Sequence, residues 1–101
     1  MKTDIIEKIA EKNNMECNGY AYFNYENFEK KNDLPCYIPE NAEEKDEVYS
    51  YQDLVKEVKE FKKENKEIWK EKEFTVETLV NQMFEEMTWE FPSTYLANLT
   101  N

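Results

Sequence analysis

The segment TVETLVNQMFEEM, residues 75–87, carries the most regular pattern in the chain. Its apolar side chains recur at intervals of three and four residues, which places them on one face of an α-helix. These residues are Val76, Leu79, Val80, Met83, Phe84 and Met87. Thr75 precedes them and its hydroxyl can accept a hydrogen bond from the first turn, so we predict a helix that begins after Thr75.

A second helix is predicted upstream, with Ser50 as its N-cap. Asp53 stands at the third helical position, so Ser50 and Asp53 can form a capping box. The apolar residues again lie on one stripe, which Asn65 interrupts. They are Leu54, Val55, Val58, Phe61, Ile68 and Trp69. Because the break near residues 73–75 is short, we expect the two helices to pack as an antiparallel pair.

Two shorter helices are predicted near the ends of the chain. The first helix is predicted over residues 4–13, with Asp4 as its N-cap and the Glu7 side chain reaching back to it as in a capping box. The apolar face of this helix is formed by Ile5, Ile6, Ile9 and Ala10. Pro92 should end any helix before it, and Ser93 can then cap a last short helix.

The segment between these helices is ambiguous. Residues 20–25 have the aromatic content of a strand but fit a helix equally well. Residues 36–38 lie between two prolines, which indicates an edge strand or an extended loop. We therefore predict a mainly α domain built on the helix pair. An α+β domain stays open, with a two- or three-stranded element from 20–25, 36–38 and 48–51.

The composition indicates one folded domain. The chain has 101 residues, too few for two separate hydrophobic cores, so we predict a single domain over residues 1–101. Aromatic residues make up 15% of the chain, a share that disordered acidic chains lack. Gly19 is the single glycine, which excludes glycine-rich phosphate-binding loops. Gly19 is also the residue best suited to a turn with positive φ.

The formal net charge of −10 argues against nucleic acids and anionic membranes as direct binding partners. Nucleic acids and anionic membranes bind clustered cations, whereas this chain has 23 acidic residues, 13 lysines and no arginine. No apolar run approaches the ~20 residues that span a bilayer. Acidic residues also interrupt the start of the chain, where a signal peptide is apolar. We expect a cytoplasmic protein with no membrane partner and no direct nucleic-acid partner.

Catalysis and metal binding have few candidate residues. The chain has no histidine, so it lacks the usual general base near neutral pH. Ser50 and Ser93 are the only serines, and both are predicted as helix caps. Cys17 and Cys36 cannot complete a zinc site alone, and in a reducing compartment both thiols should stay free. We expect no catalytic residue, no metal site, no cofactor and no enzymatic activity.

Acidic residues are concentrated in two parts of the chain. Residues 36–55 hold six acidic residues against one lysine, and residues 74–101 hold four glutamates and no lysine. Residues 56–73 are nearly neutral. If the two acidic parts meet in the fold, they form one strongly negative face that suits a basic, nucleic-acid-binding groove. If they lie apart, they serve only solubility.

These patterns predict a non-catalytic module that binds a basic protein, with tyrosines as anchors because tyrosine is favoured at interfaces. The more specific hypothesis is that the protein is an acidic inhibitor. It would block the basic nucleic-acid-binding site of an enzyme, in the manner of phage antirestriction and anti-CRISPR proteins. The carboxylates predicted to imitate phosphates are Glu43, Glu44, Asp46, Glu47, Glu85, Glu86 and Glu90. The predicted anchors are Tyr20, Tyr22, Tyr37 and Tyr49. The excess of asparagine and lysine, with no arginine, indicates an AT-rich bacterial, phage or plasmid genome, and a phage or mobile-element origin fits the inhibitor hypothesis.

The alternative function is a structural or regulatory adaptor that self-associates into a homodimer. The two apolar stripes, on residues 54–69 and 76–87, offer more apolar surface than one short helix covers. Salt discriminates the two hypotheses, because charge-driven binding weakens as salt rises whereas an apolar dimer is barely affected.

Overall fold

A four-stranded antiparallel sheet lies at the centre of the fold, with the strands in the order β1-β2-β3-β4. The computed structural model describes residues 2–19, 21–66, 75–86 and 90–99. The strands are β1 (Glu16–Asn18), β2 (Ala21–Phe23), β3 (Pro35–Ile38) and β4 (Tyr49–Ser50). The helices are α1 (Lys2–Lys12), α2 (Tyr25–Glu29), α3 (Tyr51–Glu64), α4 (Val76–Glu86) and α5 (Pro92–Leu99), with a 3₁₀ turn at Lys45–Glu47.

The two faces of the sheet are covered by different helices. Phe23 of β2 joins the larger core, and the residues that α3, α4 and α5 contribute to it are Tyr51, Leu54, Val58, Leu79, Val80, Met83, Phe84, Tyr95 and Leu96. Tyr22, its neighbour in β2, packs instead against the smaller core, which contains Ile6 and Ala10 of α1. Since side chains alternate along a strand, α1 covers one face of the sheet and α3, α4 and α5 cover the opposite face.

The strand β3 departs from this alternation because its pairing with β4 shifts register between Pro35 and Tyr37. Cys36 and Tyr37, although consecutive, both belong to the larger core. Such a bulge turns two successive side chains toward the same face of a sheet. Tyr37 is thereby fully buried beneath the helices.

The coarse prediction of a helix-rich single domain is confirmed, and the strand element that was left open is a four-stranded sheet. Both alternatives for residues 20–25 hold in part, because β2 occupies Ala21–Phe23 and α2 begins at Tyr25. The prediction of an edge strand at 36–38 is wrong, since β3 pairs with β2 on one side and with β4 on the other. Pro35 and Pro39 flank the three residues, whose own N–H groups can therefore donate to a ladder.

Two predicted helix caps are also wrong. Helix α1 begins at Lys2, so Asp4 lies inside the helix and not at its cap. Helix α5 begins at Pro92, and Tyr95 N donates a 3.1 Å hydrogen bond to the carbonyl of Phe91. Proline fits the first helical position, where its missing N–H group would have no partner inside the helix. Ser93 is therefore the second residue of α5.

The predicted starts of α3 and α4 are confirmed. The hydroxyl of Thr75 accepts a 3.1 Å hydrogen bond from Thr78 N at the start of α4. Helices α3 and α4 line the same core, while their antiparallel arrangement stays a prediction. Tyr20, Ile68, Trp69, Met87 and Trp89 lie outside the described residues. Of the helices that are described, none has both the length and the apolar character needed to cross a membrane.

The capping box of α3 makes a stability prediction. Ser50 N donates a 3.0 Å hydrogen bond to Asp53 Oδ2, and Asp53 N donates a 3.1 Å bond to Ser50 Oγ. We expect Ser50→Ala to lower the free energy of unfolding by about 1 kcal/mol, the usual value of an N-cap hydroxyl. Ser93→Ala is the matched control and should change it by less than about 0.5 kcal/mol. Equal losses in urea denaturation would contradict the assigned caps.

Candidate functional site

The acidic loop at residues 40–47 is ordered by one of its own carboxylates. Glu47 Oε1 accepts hydrogen bonds from the backbone N–H groups of Glu43, at 2.9 Å, and Glu44, at 3.0 Å. Ala42 is buried in the smaller core with Ile38 of β3. The loop is thus attached to the sheet at one residue and closed by Glu47. Glu43, Glu44 and Asp46, whose carboxylates were predicted to imitate phosphates, lie exposed around this anchor.

Tyr49 of β4 is the point at which several acidic residues meet. The Tyr49 hydroxyl has a pKa raised to about 12, first by burial and then by the negative charges of Glu57, Glu47, Asp46 and Asp53. A charge acts on a neighbouring titration in this way only when it lies close by. The residues come from the acidic loop and from the first two turns of α3. We call Asp46, Glu47, Asp53 and Glu57, with Tyr49 between them, the acidic cluster.

Glu57 and Asp53 were not among the predicted site residues. Burial raises the pKa of the Glu57 carboxyl, the nearby Glu60 and Asp53 raise it further, and Lys56 opposes them. Along the chain, the charges of residues 56–73 nearly cancel. The acidic residues of α3 are nevertheless concentrated on one side of the helix, since residues 53, 57 and 60 follow the spacing of one helical face. Among the described residues, no lysine forms a salt bridge with any carboxylate of the acidic cluster.

Tyr37 links the acidic cluster to Glu90. Its hydroxyl donates a 2.6 Å hydrogen bond to the backbone carbonyl of Glu90. Burial raises the pKa of Tyr37, and Glu90 and Tyr49 raise it further. Glu90 and Tyr49 therefore both lie near Tyr37, although Glu90 is not among the charges that raise the pKa of Tyr49. Tyr37 itself is 0% exposed, so it positions Glu90 and cannot serve as the predicted surface anchor.

The remaining glutamates of the second acidic part diverge. Glu86 accepts a hydrogen bond from the hydroxyl of Tyr95. Burial raises the pKa of Tyr95, and the charges of Glu86 and Glu90 add to this effect, which places both near α5. Glu85, which precedes Glu86 in α4, instead lines a groove beside Tyr25 of α2. The predicted acidic set is thus not one patch, because Glu85 faces away from its neighbour.

The predicted tyrosine anchors occupy different environments. Tyr49 is half-buried within the acidic cluster, where a partner can reach part of its ring. Tyr22 is half-buried against the smaller core, and burial raises the pKa of its hydroxyl, with Cys17 and Glu7 as lesser causes. Tyr20 lies outside the described residues. Tyr25, which was not a predicted anchor, has 53% of its surface exposed.

The two cysteines cannot form a disulfide in this fold. Cys17 lies in β1 and Cys36 in β3, with β2 between them. Neighbouring strands are about 4.8 Å apart, so two strands separated by a third are roughly 9.6 Å apart, and the register places Cys17 in line with Ile38 and not with Cys36, which adds to the distance. A disulfide requires a Cα–Cα distance of less than about 7 Å. Both thiols are free. In the part of the chain that the structure describes, no three cysteine or acidic side chains are grouped as metal ligands.

The two thiols should differ strongly in reactivity. Cys17 is exposed, whereas Cys36 is buried and its pKa is raised to about 12 by burial, with a smaller effect of Asp53. Since the thiolate is the reactive form, we expect a neutral-pH thiol reagent to modify Cys17 at least about 100 times faster than Cys36. Mass spectrometry of the native protein measures both rates. Similar rates would contradict the burial of β3, and Cys17→Ser provides the control.

Comparison of the chain with protein-family models, with curated proteins and with solved structures found no match.

Proposed function

We propose that this protein is a non-catalytic, acidic binding module that occupies a basic site on a partner protein. The observation that carries the proposal is the set of carboxylates from the acidic loop and α3 that lie around Tyr49. An acidic cluster with an aromatic side chain at its centre suits a surface rich in lysine and arginine. The negative charge steers the encounter, and the tyrosine supplies contact area once the surfaces meet.

The nucleic-acid-binding groove of an enzyme is the kind of basic site that we propose. Such a groove holds rows of cations that bind phosphates and release counterions on binding. Asp46, Glu47, Glu57 and Glu90 would take the place of phosphates, and Glu43 and Glu44 would extend the row along the acidic loop. This is the mode of action of antirestriction and anti-CRISPR inhibitors, and the proposal includes a phage or mobile-element origin and action in the cytoplasm.

Self-association through the apolar stripes finds less support. Leu54, Val58, Leu79 and Met83, on which that alternative depends, are buried within the chain's own larger core. Apolar side chains already covered within the protomer are not available to a second copy. We therefore expect the mass in solution to be that of a monomer at every concentration tested by sedimentation.

Capture of the partner tests the proposed function. The immobilised protein is incubated with a lysate of its source cells at about 0.05 M salt, then washed at about 0.5 M, where the Debye length falls below ~5 Å. We expect a basic nucleic-acid-binding protein to be retained at low salt and released at high salt. If only further copies of this protein were retained, and if high salt did not release them, the proposal would be overturned and the homodimer would be favoured.

A further inference from the structure

A groove between α2 and α4 lies apart from the acidic cluster. Its volume is about 370 Å³, and its lining includes Tyr25, Phe28 and Phe84 together with Glu29 and Glu85. Tyr25 is one of three large apolar or aromatic side chains that are strongly exposed within the described residues. Every other aromatic side chain in the described part of the chain is buried or half-buried.

The aromatic wall of the groove is rigid. The ring of Phe84 stacks on Phe28, with centroids 3.9 Å apart and 7° between the planes. Tyr25 meets Phe84 edge to face at 5.4 Å and stacks on Phe23 at 5.9 Å. Because Phe23 and Phe84 are buried, the Tyr25 ring is held from behind while its other side faces solvent. The ring is thus a preformed surface on which a planar group can stack.

The rim of the groove is negative. Glu29 and Glu85 are both exposed, and neither pairs with a cation in the described part of the chain. Lys31 also lines the groove but is held by other groups: it forms a salt bridge with Glu77, and its ammonium lies 5.8 Å from the centre of the Tyr51 ring. The carboxylates of Glu29 and Glu85 therefore remain available to a cation from outside.

We propose that this groove binds an arginine side chain of the partner protein. The planar guanidinium would stack on Tyr25, its charge would lie near Glu29 and Glu85, and its aliphatic stem would pack against Phe28. Arginine fits better than lysine because its flat, weakly hydrated cation stacks on aromatic faces and pairs with two carboxylate oxygens. The inference rests on the proposed function for its partner, and it adds a second contact away from the acidic cluster.

A small probe tests the groove without the partner. Amide signals of the full chain are followed by NMR during titration with N-acetyl-arginine amide, and in parallel with N-acetyl-citrulline amide, its uncharged isostere. We expect arginine to shift signals of residues 25–31 and 81–86 with a dissociation constant on the order of millimolar, and citrulline to shift them little. Equal shifts with both probes, or arginine shifts confined to other regions, would overturn the inference.

Variants separate the groove from the acidic cluster. Glu29→Gln with Glu85→Gln leaves the core intact and should weaken arginine binding at least threefold, as should Tyr25→Ala, whereas Tyr25→Phe should retain it. Glu64→Gln, an exposed charge outside both the groove and the acidic cluster, should leave it unchanged. Unaltered binding by the groove variants would overturn this inference alone, because the salt-sensitive capture of a basic partner depends on the acidic cluster and would be unaffected.

Discussion

Removal of four carboxylates in and beside the acidic cluster should weaken binding of the captured partner by about 100-fold. The variant combines Glu43→Gln, Glu44→Gln, Asp46→Asn and Glu57→Gln, and it keeps Glu47 because that carboxylate closes the acidic loop. The estimate assigns about 0.7 kcal/mol to each interfacial charge, within the range for partly exposed pairs. Affinity should also fall less steeply with salt, since fewer ion pairs form. Calorimetry at several salt concentrations measures both effects.

A control variant of equal charge makes this prediction specific. Glu11→Gln, Glu16→Gln, Asp33→Asn and Glu64→Gln also remove four exposed charges, so each variant changes the net charge from −10 to −10 + 4 = −6. If position matters, the control should keep affinity within about threefold of the parent. Equal weakening by both variants would mean that only total charge attracts the partner, and the acidic cluster would lose its role.

Phe84→Ala should produce the largest loss of stability. Phe84 is 2% exposed, and its ring contacts Phe23 of β2 and both Tyr25 and Phe28 of α2. Removing the ring leaves a cavity where the sheet, α2 and α4 meet. We expect the free energy of unfolding to fall by about 4 kcal/mol. For a domain of this size the melting temperature should then fall by roughly 20 °C.

Glu85→Ala is the matched control for Phe84→Ala, because it changes the next residue of the same helix on its exposed side. This substitution should alter stability by less than about 0.5 kcal/mol. Urea denaturation followed by circular dichroism compares the two variants with the parent. A loss of less than about 1 kcal/mol for Phe84→Ala would show that the three rings do not pack around it as described.

The helices were predictable where side-chain periodicity and a cap agree. The pattern from Val76 to Phe84 corresponds to α4, and the hydroxyls of Ser50 and Thr75 cap the two helices that they were predicted to cap. Strand β1 was not predictable, because its three residues, Glu16–Asn18, are all exposed and show no alternation of apolar and polar side chains. Its partner β2, the next strand in the chain, orders it through the antiparallel ladder, and the side chains of β1 do not indicate this pairing.

The candidate site was predictable only in part for a similar reason. The acidic loop is visible as a run of charge in the sequence, but Glu57 joins it through the packing of α3 beside β4. Tyr37 is the middle one of the three residues between Pro35 and Pro39, and nothing local indicates that the register shift in β3 buries it. The position of Glu90 beside Tyr37 depends on a hydrogen bond that joins residues 53 positions apart.

Competition for the partner tests the proposed function most directly. A fluorescently labelled nucleic acid is bound to the captured partner, and its anisotropy is followed as this protein is added. We predict full displacement of the nucleic acid, with a potency that falls as salt rises and that falls further for the variant with four carboxylates removed. An anisotropy that does not fall as this protein binds the partner would mean that the nucleic acid and this protein bind at the same time, and would contradict occupation of the basic groove.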